Sequence, residues 1–262
     1  MLDAMEEAKV LLNHPVIFAF LCFILLWIAA QAGAAMRKQR PLQEEERDDF
    51  GLVEGATLTL LGLIIGFSFS MATTRYDQRK NYEEAEANAI GTEYVRVDLL
   101  PKADAATIRK QLRRYSELRI AFYTTRHHDE LDRINAETAA LQTRMWEGVE
   151  APSLAQPTPI AALAVAGMND VLNSQGYTQA AWWNRIPSSA WALMIAIAVA
   201  SNFLVGYGAR GAKAKGFLMF VLPLVVAISF LLIADIDSPR GGLIHVVPQN
   251  LRSVLQSLPP SQ

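Results

Sequence analysis

Gly55, Thr59, Gly62, Gly66, Ser70 and Thr73 recur at steps of three and four along an otherwise apolar run. At 3.6 residues per turn all six fall within ~80° of helical arc. They form a continuous small, partly hydroxylated strip, with Leu60, Ile64, Phe67 and Met71 on the opposite side as lipid-facing or core residues. Two kinds of chemistry fit such a strip. Gly62 and Gly66 have the GxxxG spacing that lets a second helix backbone approach closely. Alternatively, several copies arranged about an axis would line a narrow conduit. Its backbone and hydroxyl oxygens would replace part of an ion's hydration. The residues alone leave both open.

Arg75, Arg79 and Lys80 follow within about two turns of the strip's end. As a basic mouth to a conduit they would raise the local anion concentration; as interfacial anchors they would snorkel to the headgroups. In "IADIDSPRGGL", Asp235, Asp237 and Arg240 stand where an apolar run ends. They read either as a turn, with Asp237 pairing Arg240 and Pro239 and Gly241–Gly242 stopping the helix, or as a cation site or gate. Arg119 falls on an apolar helix face between Leu112 and Phe122, where a charge needs a partner. Glu86 and Glu93 can supply one, unless Arg119 lies at the rim. Glu83, Glu84, Glu86 and Glu93 form an acidic run of the kind that is usually a solvated face.

Nothing in the sequence composes a catalytic group. His14, His127, His128 and His245 have no metal-ligand spacing, and the adjacent pair diverges on a helix. Phosphate-loop, nucleophile-elbow and zincin motifs are absent. The single cysteine, Cys22, excludes an intrachain disulfide and a thiolate metal cluster, and reads as a small apolar filler. We therefore expect no enzyme activity, no metal and no cofactor. The formal net charge of -2 gives no sign of a nucleic-acid binder.

The elements that must carry the strip follow from hydropathy. Of the 262 residues 52% are apolar, and they are bunched. Val16 to Ala35, Leu52 to Ala72, Ser189 to Gly208 and Phe217 to Ala234 each approach the ~20 residues needed to cross ~30 Å of hydrocarbon. All lack formal charge except the second span, which has Glu54 at its start. The leading "MLDAMEEAK" is acidic, which argues against a cleaved signal peptide. Between spans two and three the chain never regains membrane hydropathy and shows helical periodicity. Tyr76, Ala87, Ile90, Tyr94 and Val97 share one arc of an extension of span two that Pro101 ends. Helices at about 105–128, 131–149 and 160–183 follow, grouping Ile108, Leu112, Tyr115 and Phe122, then Ile134, Leu141 and Met145. Three prolines in "APSLAQPTP" break the chain. Trp182 and Trp183 suit the headgroup belt, with Trp191 just inside it. Ala192, Ala196 and Ala200 form a small-residue ridge suited to packing, Asn202 is placed to bond a neighbouring helix, and Pro223 falls inside span four. The expected organisation is all-α: spans one and two in 1–72, a helical extramembrane bundle in 73–187, spans three and four in 188–235, and a tail in 236–262.

"LLGLIIGFSFSMATTRYDQRKNYEEAEANAIGTEYVRVDLLP", "NRIPSSAWALM", "GYGARG" and "IADIDSPRGGLIHV" occur in that order. Together they resemble the bacterial bestrophin-like domain family over about Leu52 to Leu255. The resemblance implies a four-span, multi-pass protein of the bacterial plasma membrane, distantly related to pentameric, mainly anion-conducting channels whose second span lines the pore. By that likeness Ile65 and Phe69 are the neck candidates, and Arg75 to Arg79 match the element that follows the pore helix. The acidic calcium clasp is not recognisable, so calcium gating is not implied. The expected function is a homo-oligomeric channel for small ions, with anions the expected substrate class, in contact with the lipid bilayer. A non-conducting scaffold whose extramembrane bundle binds a partner protein is the alternative. Arg37, Lys38, Arg40, Arg47, Arg210, Lys213 and Lys215 crowd the two short loops. The positive-inside rule puts these in the cytoplasm and the middle segment outside; the resemblance implies the reverse.

Overall fold

Proline sets where several helices begin. The computed structural model describes residues 12–209 and 212–259, without the side chains of 212–216 and 218. The "MLDAMEEAK" segment and Arg210 therefore lie outside the described residues, as do the side chains of Lys213 and Lys215. Pro15 opens α1 (Pro15–Gln39), Pro101 precedes α3 (Lys102–Thr124) and Pro187 precedes α6 (Ser188–Gly208). At a helix start the fixed φ of proline is already suitable and its missing N–H costs nothing. The other helices are α2 (Arg47–Arg96), α4 (His128–Ala155), α5 (Ala161–Trp183), α7 (Ala212–Asp237) and α8 (Gln249–Ser257). A single 3₁₀ turn, Val97–Leu99, closes α2 ahead of Pro101. Every regular element among the described residues is helical, and four helices are long and apolar enough to cross a membrane.

The 50-residue α2 contains the whole strip and continues without interruption into the polar sequence. The chain divides into two compact units, the first from residues 1–75 and 185–245 and the second from 76–184 and 246–262.

In the first unit α1 packs against α6 and α7, and α6 against α7. Glycine permits the α1–α6 contact. A Cβ on Gly33 would collide with the Phe203 carbonyl oxygen, and one on Gly206 with that of Ala30. Phe18, Trp191 and Phe230 continue the contact edge to face, with centroids 5.1 and 6.0 Å apart. Trp191 is buried in this contact. Arg37 reaches the free end of α6, donating to the carbonyls of Tyr207 at 2.9 Å and Gly208. This satisfies acceptors that a helix C-terminus leaves unpaired. The alanine ridge on α6 does not serve this packing: Ala192, Ala196 and Ala200 are exposed, and the buried face is Trp191, Met194, Ala198, Ser201, Asn202 and Gly206. Asn202 donates back to Ala198 of its own helix at 2.8 Å. Cys22 is buried and free. Pro223 lies within α7, as expected.

The second unit is a helical bundle whose core matches the periodic faces. Ala87, Ile90, Val97, Ile108, Leu112, Tyr115, Phe122 and Met145 are fully buried. Helix α4 runs on through Pro152 to Ala155, beyond the expected stop at 149, because a missing N–H near a helix end removes a single bond. Trp182 is buried against Phe122 and Tyr123, centroids 4.9 and 5.3 Å away, which corrects its assignment to the headgroup belt. Trp183 is 75% exposed.

Two polar contacts tie this core together. Arg119, with no exposure, pairs with the equally buried Glu86 and lies 4.3 Å above the Phe122 ring; Glu86 Oε2 accepts from Arg119 at 3.5 Å and from Thr178 at 3.2 Å. Glu83 accepts from Leu251 N at 2.9 Å and Asn250 Nδ2 at 2.7 Å, capping the start of α8. Its carboxylate meets the positive end of the helix there. The acidic run is thus mostly buried: Glu83, Glu86 and Glu93 turn inward and Glu84 stays outside.

Two outcomes follow. Glu86→Leu strands a buried guanidinium and should cost about 3–5 kcal/mol. Adding Arg119→Met should recover most of that loss, as read by thermal unfolding of the purified protein. Gly206→Leu should cost about 1–3 kcal/mol or block folding through overpacking, whereas Gly55→Leu, at an uncrowded position, should leave the melting temperature nearly unchanged.

Candidate functional site

The strip lies on the side of α2 that its own chain does not cover. Gly55, Thr59, Gly62, Gly66 and Ser70 are exposed and Thr73 is half-buried. Among the described residues, nothing comes within 4 Å of where a Cβ would sit on Gly55, Gly62 or Gly66. Of the apolar stretch of this span 6% is buried, against 39% for the first span and 50% for the fourth. The residues that α2 does bury here are Leu61, Ser68 and Ala72. At 100° per residue they centre about 140° from the middle of the strip. Leu60, Phe67 and Met71 are exposed and Ile64 is half-buried, so the side opposite the strip is largely uncovered too. Of the neck candidates, Ile65 is half-buried and Phe69 is 40% exposed.

The strip hydroxyls are oriented by the helix itself. Thr59 Oγ1 donates to the Gly55 carbonyl at 2.8 Å and Thr73 Oγ1 to that of Phe69 at 3.0 Å. A hydroxyl that spends its hydrogen this way presents oxygen lone pairs outward.

The basic mouth is not assembled as expected. Arg75 lies nine residues beyond Gly66, about 180° around the helix. It turns into the protein, where its guanidinium is 3.4 Å from Asp237 Oδ1. Arg79 is 2% exposed and belongs to the buried face. Lys80 alone of the three is exposed. The reason is helical phase: three cations within two turns cannot share one face at these spacings. The signal was present in the sequence, since Arg75 and Arg79 fall opposite the strip on the same wheel that defines it.

Asp237 is the anchor of this side. It ends α7, is 1% exposed, and accepts from the backbone N–H of Ile186 with both oxygens, at 3.2 and 3.1 Å. Arg185 Nε stands 3.7 Å away. Burial lowers the Arg185 guanidinium from its ordinary range, while Asp237 opposes that shift. Arg185 also donates to Asn13 Oδ1 at 2.7 Å. One carboxylate thereby gathers the end of α7, the lead-in to α6 and the last residue of the first unit on α2. Asp235 performs a separate task, accepting from Leu243 N and Ile244 N at 2.8 Å each and closing the turn after α7. Arg240 is half-buried in that turn. The geometry of these residues is that of a structural junction. No group of three or more His, Cys, Asp or Glu suited to a metal occurs among the described residues.

The fold has solved counterparts. A bacterial bestrophin homologue from Klebsiella pneumoniae superposes with a TM-score of 0.64 at 15% identity, covering 93% of this chain and 100% of that one. A single-substitution variant of the Klebsiella pneumoniae homologue gives a TM-score of 0.66 at 14% identity, over 93% of this chain and 96% of that one. At these identities the likeness is one of fold. No curated protein matches the sequence. Residues 17–251, from the first span into α8, match the Bestrophin-like domain, and the chain belongs to this family of membrane proteins.

Proposed function

We propose that the protein is a homo-oligomeric channel, five copies by likeness to bestrophins, in which α2 of each copy turns its strip toward a shared axis and small ions pass along it. The observation that carries this reading is the open strip, uncrowded at Gly55, Gly62 and Gly66. The helix satisfies its own backbone, and Thr59 and Thr73 return their hydrogens to it, so what the strip offers is close approach and outward oxygen lone pairs. A strip of small residues and outward lone pairs left uncovered by its own chain suits contact with another copy or with water better than contact with lipid. Helical rather than barrel spans fit the bacterial plasma membrane. Ion passage rather than catalysis is the reading that the strip and family favour.

The sign of the ion follows from charge and lone pairs. With Arg75 and Arg79 withdrawn, the basic mouth no longer supports an anion preference, which then rests on the family likeness alone. At 3.6 residues per turn the exposed side chains that continue the line of the strip are Asp77, Lys80 and Glu84, one net negative charge per chain. Outward oxygen lone pairs and a net negative approach both favour cations. The alternative, a non-conducting scaffold that uses GxxxG for packing between copies, draws on the same uncrowded glycines.

Reconstituted protein should give conductance above that of empty liposomes, and a salt gradient should displace the reversal potential toward the cation. Absence of conductance over a range of voltage and pH would overturn the channel reading. Gly66→Leu distinguishes the two readings. A bulky side chain on the path should abolish or sharply reduce conductance while the oligomer's mass is retained; loss of assembly instead would support the scaffold.

A further inference from the structure

Glu93, near the end of α2, has no solvent exposure, and among the described residues neither carboxyl oxygen has a hydrogen-bond partner. The carboxyl lies against the backbone of α5. A Cβ on Gly167 would collide with Glu93 Oε2 and stand 2.9 Å from an Arg96 guanidinium nitrogen. The space for the acid exists because residue 167 has no side chain. Gly167 lies inside α5, so its N–H is committed to the helix and cannot serve the carboxylate.

An ionised carboxylate without donors in such a place is costly, and a buried acid escapes the cost by staying protonated. Arg96, three residues on along α2, favours the charged form, and Asp170 of α5 opposes it. Arg96 is drawn to Asp170 at 3.8 Å, and both are partly exposed. Solvent and salt therefore weaken their influence. Burial is the largest effect and pushes the Glu93 carboxyl up to about 8.

We propose that Glu93 is a proton-operated latch between α2 and α5: protonated, it lets α5 close on α2 at Gly167, and deprotonated, it drives the two helices apart. The latch is a property of the second unit and does not depend on ion conduction. The sign is fixed by linkage. The folded-state value lies above the ordinary 4.5, so the stabilisation is complete below about 4.5 and is lost as pH rises toward about 8. Over that window the opening equilibrium should rise about tenfold per pH unit, then level off.

The test uses the purified full chain in detergent, with two readouts independent of conductance. Infrared difference spectra should show a protonated-carboxyl band at neutral pH that fades toward about pH 9 and is missing in Glu93→Gln. Hydrogen exchange of the segment 161–176, normalised to Glu93→Gln at each pH, should rise steeply between about pH 6 and about pH 8. Gly167→Ala should displace the carboxyl and speed exchange in this segment at every pH. A carboxyl band unaffected by Glu93→Gln, or equal exchange in wild type and Glu93→Gln across the range, would overturn the latch.

Discussion

The Arg75–Asp237 ion pair fixes which way the second span faces. Arg75 stands on the back of α2, about 180° from Gly66, and Asp237 holds it at 3.4 Å while also binding Ile186 N and drawing in Arg185. A helix gripped on one side presents the other. The side presented carries glycine and hydroxyl groups, residue types that let another helix or water approach closely. Arg75, expected beside the strip, instead ties the back of α2 to the end of α7.

Glycine is used in two opposite ways in the same membrane unit. Gly33 and Gly206 are buried where two helix backbones touch, and the space a side chain would need is filled by carbonyl oxygen. Around Gly55, Gly62 and Gly66 nothing among the described residues lies within 4 Å of where a Cβ would sit. The first pair is explained within one chain by close packing. The second set has no intrachain explanation, and this contrast is what makes it a candidate for assembly or passage. The bundle beyond the membrane follows another logic, in which ions are buried but paired. Arg119 meets Glu86, and Glu83 meets the start of α8. Glu93 departs from that rule, and its burial without a hydrogen-bond donor among the described residues favours the neutral acid.

Much of the fold was legible because hydropathy and helical period are local properties. The four spans, the unbroken α2 and the helix boundaries at Pro101 and Pro187 follow from chain chemistry alone, as do the buried faces around Ile108, Leu112 and Met145. The partner of Arg119 was legible as well, since a charge on an apolar face demands one. Other features were not. Period shows which residues share a face but not which face finds protein, so the ridge at Ala192, Ala196 and Ala200 was read as packing although it is exposed. Trp182 looks interfacial by position, yet two aromatic rings from a distant helix bury it. Arg75 and Arg79 are near the strip along the chain but far from it in angle around the helix, and the angle decides what they meet. The burial of three glutamates out of an acidic run depended on Arg119, Gly167 and Leu251, which lie far away in sequence.

The most direct measurement is water accessibility along α2 in the reconstituted oligomer, with Cys22 replaced by Ala. Single substitutions Thr59→Cys, Ser70→Cys and Phe67→Cys would be challenged with a membrane-impermeant, water-soluble thiol reagent. A strip that borders an aqueous path predicts rapid modification at 59 and 70 and slow modification at 67. Inert cysteines at 59 and 70 that react with a lipid-soluble reagent would place the strip in hydrocarbon and contradict the channel.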